Sequence, residues 1–408
     1  MALTVAPTPA LRAPMVAAGP ALFASLYAWI VVAATWRHPG AIGLNYNALG
    51  TDWMVFYGAV KAALSGHVAL IFDGDRFTAY LNSAFAHHLS QPMPFRPWVY
   101  PPSFLLLLAP FSGLGFLGSY AAFQLATAAL LVWALRVGTD RPRAAGFLAL
   151  AVLISPASAV NVVDGQCAFL VAALLIFGFR LLEARPFAAG LVLGVLTFKP
   201  QFWVLIPIAL LAARQWRAIF GAIVSGLVLV VASAAAFGLA AWVWWARTAV
   251  ESYASPDPKW VEYGRIWGNS VYACAVLLGL PAKLASGLQS LSILASAAAV
   301  YLTFRSRLQP DAKLAVLLAA TILAAPHSGA YDALILVVAA GLWLGRQDTA
   351  QPLWPWILAL ALWLIPALSP PAVVFLGRFS PLLIVALIVL IVARSRPMPP
   401  NAASGAVS

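Results

Sequence analysis

The stretch LGTDWMVFYGAVKAALSG at residues 49–66 carries a single acid, Asp52, in a chain of 408 residues with only 12 Asp and Glu. A carboxylate placed there can serve as a general base, taking a proton from a hydroxyl that then becomes a nucleophile. Position alone favours a helix cap, a role compatible with the first: Thr51 precedes it, the helical pattern WMVFYGAVKAAL follows, and a cap contributes about 1 kcal/mol. Four further ionisable residues stand in apolar surroundings, Asp164, Lys199, His327 and Asp332. Such groups are costly in lipid and mark functional sites by default. Lys199, in LTFKPQFW, projects from a turn at Pro200 and could bind a phosphate; a lysine snorkelling from a helix end is the commoner case. His327, in AAPHSGAYDALIL, stands at the entrance of a helix starting near Ser328, where an isolated histidine is more often structural.

Membrane-spanning helices must position these groups. Hydrophobic residues make up 63% of the chain and charged residues 9%, against soluble norms of about 45–50% and about 25%; mean hydropathy is +0.92. Apolar runs follow one another from residue 20 to residue 393, many of them near the ~20 residues that span a bilayer. Residues 19–394 therefore read as one polytopic, all-α membrane domain. The tails at 1–18 and 395–408, rich in Ala, Pro and Ser, read as disordered and cytoplasmic. The net charge of +12 is spread in ones, twos and threes between apolar runs, a topology signal rather than a nucleic-acid surface.

Arg136/Arg141/Arg143, Arg180/Arg185, Arg214/Arg217, Arg305/Arg307/Lys313 and Arg394/Arg396 are assigned to the inside. The helices between them fall near 20–36, 116–136, 144–160, 166–182, 187–198, 200–213, 217–241, 284–304, 314–325, 331–345, 352–368 and 371–393. That predicts about twelve crossings with both ends cytoplasmic, and puts Asp52, Asp164, Lys199, His327 and Asp332 at the outer face. PPSFLLLLAPF at 101–111, the two runs flanking Lys199 and NSVYACAVLLGL at 269–280 are too short to span; they read as half-helices or re-entrant segments around a cavity. Residues 37–100 and 242–268 are long external loops, the first with an amphipathic pattern from Trp53 to Leu64. The aromatics Trp53, Phe56, Tyr57 and Trp98 could form an interfacial belt or stack on the flat face of a bound ligand.

Weaker signals point elsewhere. The pair Asp73 and Asp75 in DGD has the form of a metal-holding Asp-x-Asp, but two carboxylates about a turn glycine are ordinary loop chemistry. His87 and His88 lack the spacing of a metal pair, and Cys167 and Cys274 read as buried small side chains. No metal and no cofactor are expected.

Six stretches in order resemble glycosyltransferase family 87, membrane enzymes of the GT-C class that use polyprenyl-phosphate sugars. DWMVFYGAVKAALSG is similar to the family's opening Asp-aromatic segment and VYPPSFLLLLAPF to its Tyr-Pro-Pro segment. DGQCAFLVAALL, LTFKPQFWVLIPIALLAARQWRA, WGNSVYACAVLLGL and PHSGAYDALIL resemble the Gly-Gln, Lys-Pro, Gly-Asn-x-Ser and His-x-Tyr-Asp stations. Two departures stand out: Ala168 replaces the Asn expected two residues after Gly-Gln, and GNSV replaces Gly-Asn-Gln-Ser at 268–271.

The resemblance implies a GT-C-like bundle with a long first external loop carrying amphipathic helices. It implies Asp52 as general base, Lys199, His327 and Arg265 at the donor phosphate, and Tyr57, Tyr100, Gln166, Asn269, Tyr331 and Asp332 around the substrates. The reaction it implies moves a hexose, mannose foremost, from a polyprenyl-phosphate donor to a hydroxyl of a lipid or glycan acceptor, with inversion. The setting it suggests, with the composition, is a bacterial inner membrane with the site facing outward. The rival class is a transporter or flippase for a lipid-linked sugar, which should show mid-membrane ionisable residues and repeat symmetry.

Overall fold

The computed structural model describes residues 9–37, 48–255, 257–260, 263, 269–347, 352–368 and 377–395, and it contains helices and no β-strand among them. The N-terminal helix α1 (Pro9–Arg37) begins inside the stretch read as a tail. Then come α2 (Thr51–Leu64), the single turn α3 (Val68–Ile71), α4 (Gly74–Ala84), the short α5 (Pro102–Leu108) and α6 (Phe116–Arg136). The bundle continues through α7 (Pro142–Ile154), α8 (Pro156–Asp164), α9 (Ala168–Leu181) and α10 (Pro186–Val195). After Lys199 follow α11 (Pro200–Trp203), α12 (Leu205–Ala212), α13 (Trp216–Phe237) and α14 (Leu239–Ala254). The C-terminal part holds α15 (Val271–Leu277), α16 (Ala282–Arg305), α17 (Pro310–Ala324), α18 (Ala333–Leu344), α19 (Leu353–Leu368) and α20 (Ser380–Arg394).

Among the described residues, five helical spans are long and apolar enough to cross a membrane, six if the α7–α8 pair, bent by 53°, counts as one. These and the shorter apolar helices define a multi-pass membrane protein. The twelve segments expected from the sequence recur as helical elements where described, but six of the apolar helices have only 10–17 residues, so twelve full crossings are not established. The three runs judged too short to span do form short or broken helices: α5, α15 and the α10–α12 sequence interrupted at Lys199. Proline explains the breaks, because its ring and missing N–H favour a helix's first turn and stop the preceding one; Pro102, Pro156, Pro186 and Pro200 each stand there.

Two expectations change. Helix α2 is not an amphipathic surface helix: ten of its fourteen residues are buried, including Trp53, Met54, Val55, Phe56 and Val60. The helix expected over 217–241 stops at Phe237, where Gly238 adopts φ 86°, and α14 fills part of what read as an external loop. By contrast α4 is amphipathic, burying Phe77 and Leu81.

Helices α17 and α18 are the centre of the bundle, buried along almost their whole length, as expected of helices apolar on all sides. Their 15 and 12 residues span only about 18–22 Å at 1.5 Å per residue. Helices α10 and α13 touch backbone to backbone: a Cβ at Gly190 would collide with the Ala218 carbonyl oxygen, and one at Gly221 with that of Phe187. Small residues permit this approach, which replaces the missing hydrophobic drive between helices in lipid with van der Waals contact.

One end of the core is stapled by basic residues. Arg346, just after α18, makes a bidentate pair with Asp140 (2.6 Å each) and a 2.6 Å bond to Asp311 at the start of α17. Arg141 donates to the Gly345 carbonyl (2.7 Å), and Arg180 to those of Leu135 and Val137. Hydrogen bonding to Arg346 holds the Asp140 carboxyl below the usual range. Helix α17 runs away from this end and α9 and α18 run toward it, so the chain segments 164–168 and 325–332 meet at the opposite end.

Candidate functional site

At that opposite end the ionisable residues converge. Helix α2 starts from Gly50, whose φ of 70° suits glycine and whose N–H donates to the Val163 carbonyl (2.6 Å). Gly50, not Asp52, is the cap, and no side chain caps this helix. The capping account of Asp52 therefore fails. Its carboxylate turns instead to Gln166, whose Nε2 donates to Oδ2 at 2.7 Å; Oδ1 has no hydrogen-bond partner among the described residues.

Backbone contact brings this pair together. Gly165 ends α8 with φ 75°, and a Cβ on it would lie 2.5 Å from Trp53 Cβ and 3.1 Å from Trp53 N. Only glycine lets the α8–α9 turn lie flat on the first turn of α2. Beneath it Trp53 donates from Nε1 to Ser119 Oγ (3.0 Å) and stacks on Phe123. Phe56 meets Trp98, Tyr100 and Phe104 edge-on. Trp53, Phe56 and Trp98 are fully buried, so they are neither sugar platform nor interfacial belt but the aromatic floor of the site.

Lys199 and Asp332 form the second half. Both side chains are nearly sealed, 2% and 1% exposed, with Nζ 3.0 Å from Oδ1. Asp332 Oδ2 accepts from the Gly329 N–H at 2.9 Å, which folds the 325–332 loop back on itself. The Lys199 ammonium also lies over the rings of Phe202 (4.6 Å) and Tyr331 (5.3 Å), contacts that favour a cation. The Asn269 N–H donates to the Ser328 carbonyl at 2.7 Å, joining the 269–270 segment to the same loop. His327 lies in this loop, outside the helices, and burial pushes its imidazole down to about 4, so at pH 7 it is a neutral hydrogen-bonding group. Tyr100, Tyr263 and Tyr331 share one electrostatic neighbourhood with Asp52, and Asp332 and Lys199 each feel the Asp52 charge.

Of the residues named from sequence, Asp52, Tyr100, Gln166, Lys199, Tyr331 and Asp332 gather here, with Asn269 and His327 on the adjoining loops. Tyr57 does not join them: its hydroxyl donates to the Leu114 carbonyl and its ring packs on Phe85 and Phe116. Arg265 lies outside the described residues. Asp73 caps α4 through the Arg76 N–H, and Asp75 pairs with Lys259 at 2.7 Å, so both have local roles. Sequence reasoning missed Tyr263 and two buried amides that lead to Gln166, Gln124 and Asn161. Gln124 was detectable as a lone amide in the apolar run SYAAFQLATAALL; Tyr263, against Phe95 and Trp260, carried no pattern.

The bundle and its site thus define a multi-pass membrane protein with a carboxylate and a charge pair at one end of its core. The sequence profile of glycosyltransferase family 87 matches residues 98–326. The match covers more than half of the chain, which belongs to this family and is a membrane glycosyltransferase. No curated protein and no solved structure matches it. Tyr100, Gln166, Lys199, Arg265 and Asn269 fall within the matched region; Asp52, His327, Tyr331 and Asp332 lie outside it.

Proposed function

We propose that this glycosyltransferase moves a hexose, mannose foremost, from a polyprenyl-phosphate donor to a hydroxyl of a lipid or glycan acceptor, with inversion. The observation that carries the reading is the Asp52 carboxylate: the buried Gln166 amide holds one oxygen, the side chain caps no helix, and the other oxygen has no hydrogen-bond partner among the described residues and can accept a proton. A general base positioned this way contributes typically 10²- to 10⁴-fold to rate. Attack by the deprotonated hydroxyl on the sugar face opposite the leaving phosphate inverts the anomeric centre.

The leaving polyprenyl phosphate gathers charge as the glycosidic bond breaks, and donors aimed at it lower the barrier. His327, as a neutral donor, and Arg265 are assigned to that task. Lys199 is sealed against Asp332, so its part is to fix the 325–332 loop and to lend a positive field beneath the site rather than to grip phosphate from the surface. Tyr100 and Tyr331 flank the sugar, and Asn269 holds the neighbouring segment. Tyr57 supports the loop that closes on Leu114. The basic end of the bundle is assigned to the cytoplasm and the site to the outer face of a bacterial inner membrane. The isoprenoid tail of the donor lies in the membrane, between helices and lipid.

The test is purified protein in vesicles given radiolabelled polyprenyl-phosphate mannose and a lipid acceptor. Label appearing on the acceptor with inverted configuration is the expected result. Label crossing the bilayer with no transfer would overturn the reading in favour of a flippase.

A further inference from the structure

We infer that Gln124 and Asn161, buried within the helices, are positioning residues for the general base, acting on Asp52 through Gln166. This rests on the proposed role of Asp52. The three residues are linked in series, Gln124 reaching the backbone carbonyl of Gln166 and the Gln166 side chain reaching Asp52. Asn161 Nδ2 donates to Gln124 Oε1 at 2.8 Å, and Gln124 Nε2 donates to the Gln166 carbonyl oxygen at 2.9 Å. Gln166 Nε2 then donates to Asp52 Oδ2 at 2.7 Å. All three amide residues are buried, Asn161 completely.

The direction of each amide is fixed by a second bond. Gln166 Oε1 accepts from the Cys167 N–H (3.2 Å), so its NH₂ group faces the carboxylate; a flipped amide would set oxygen against oxygen. Asn161 Oδ1 accepts from the Ala168 N–H (2.9 Å), so its NH₂ group faces Gln124. Asn161 thereby supplies a side-chain acceptor for the first N–H of α9. Each side-chain amide oxygen and nitrogen has a hydrogen-bond partner, as a buried network requires, and the series ends on one oxygen of the Asp52 carboxylate.

A polar chain in an apolar bundle is expensive if it only stabilises, since apolar residues of the same shape fill such space at little cost. Its geometric effect is to hold the backbone at 166, and so the Asp52 carboxylate, in one place. Displacing a reacting group by about 1 Å can cost on the order of 100-fold in rate.

The experiment uses the full chain carrying Gln124→Met or Asn161→Ala, each first checked for wild-type melting in detergent. Infrared difference spectra against Asp52→Asn isolate the Asp52 carboxylate stretch without substrate. Transfer is then measured with polyprenyl-phosphate mannose. The expected result is a shifted carboxylate band, in the direction given by Gln166→Met, with kcat reduced about 10- to 100-fold and donor KM nearly unchanged. An unmoved band in a folded variant overturns the inference, whether activity persists or kcat and KM fail together. A shifted band in a protein that transfers no sugar supports the relay and removes the glycosyl-transfer reading, so the two claims fail separately.

Discussion

Removing one member of the Lys199–Asp332 pair should harm the fold more than removing both. The ammonium and carboxylate are 3.0 Å apart and almost fully sealed, so neither survives alone in charged form. After Asp332→Asn, Lys199 must stay charged in an apolar site or lose its proton, and discharging a lysine of ordinary pKa, about 10.4, at pH 7 costs about 4.6 kcal/mol. After Lys199→Met, neutralising Asp332 from about 3.9 costs about 4.2 kcal/mol. Both figures agree with the roughly 3–5 kcal/mol seen when one partner of a buried pair is removed. The double variant Lys199→Met/Asp332→Asn leaves no charge, and its Asn can still accept from the Gly329 N–H. It should therefore lose less than either single change. Unfolding in mixed detergent micelles, followed by tryptophan fluorescence, measures all three. Singles close to wild type, or a double variant at the sum of the singles, would refute this account.

Gly165→Ala should lower both stability and transfer, because the φ of 75° and the contact with Trp53 leave no room for a methyl group; melting and initial rates check it, and a fully active variant would contradict the α2–α8 contact. Gly190→Ala and Gly221→Ala should destabilise by about 1–3 kcal/mol, the range for overpacking, while the kcat of the protein that remains folded is unchanged; this is read by melting and by rate per folded molecule. The Arg346–Asp140 staple has its own pH dependence: the folded Asp140 carboxyl is depressed, so its contribution is fully present above the unfolded value, about 4, and is lost as pH falls through the lower folded value. The melting advantage of wild type over Asp140→Asn should accordingly be constant from pH 7 to about pH 4 and shrink below.

Much of the helical layout was legible because proline and basic residues punctuate the chain. The helix over 116–136 has the boundaries its pattern predicts, and the break at Lys199 follows from Pro200. What sequence could not supply was partnership across distance. Gln166 lies 114 positions from Asp52, and Lys199 lies 133 from Asp332. Nothing local distinguishes a lysine snorkelling to water from one sealed against an acid. The aromatics of α2 illustrate the same limit, since Trp53 and Phe56 have the composition of an interfacial belt and only packing against Phe123 and Phe104 makes them core. The buried amides Gln124 and Asn161 escaped because attention to charged residues passes over neutral groups, although in lipid both must find partners.

The role proposed for Asp52 is to remove the acceptor's proton. The most direct measurement is the initial rate of transfer from polyprenyl-phosphate mannose by wild type and by Asp52→Asn, at equal amounts of folded protein. Asparagine keeps the shape and can still accept from Gln166 but cannot take the proton. The variant should transfer more slowly by about 10²- to 10⁴-fold with normal melting; a folded Asp52→Asn protein that transfers at the wild-type rate would rule out Asp52 as the base.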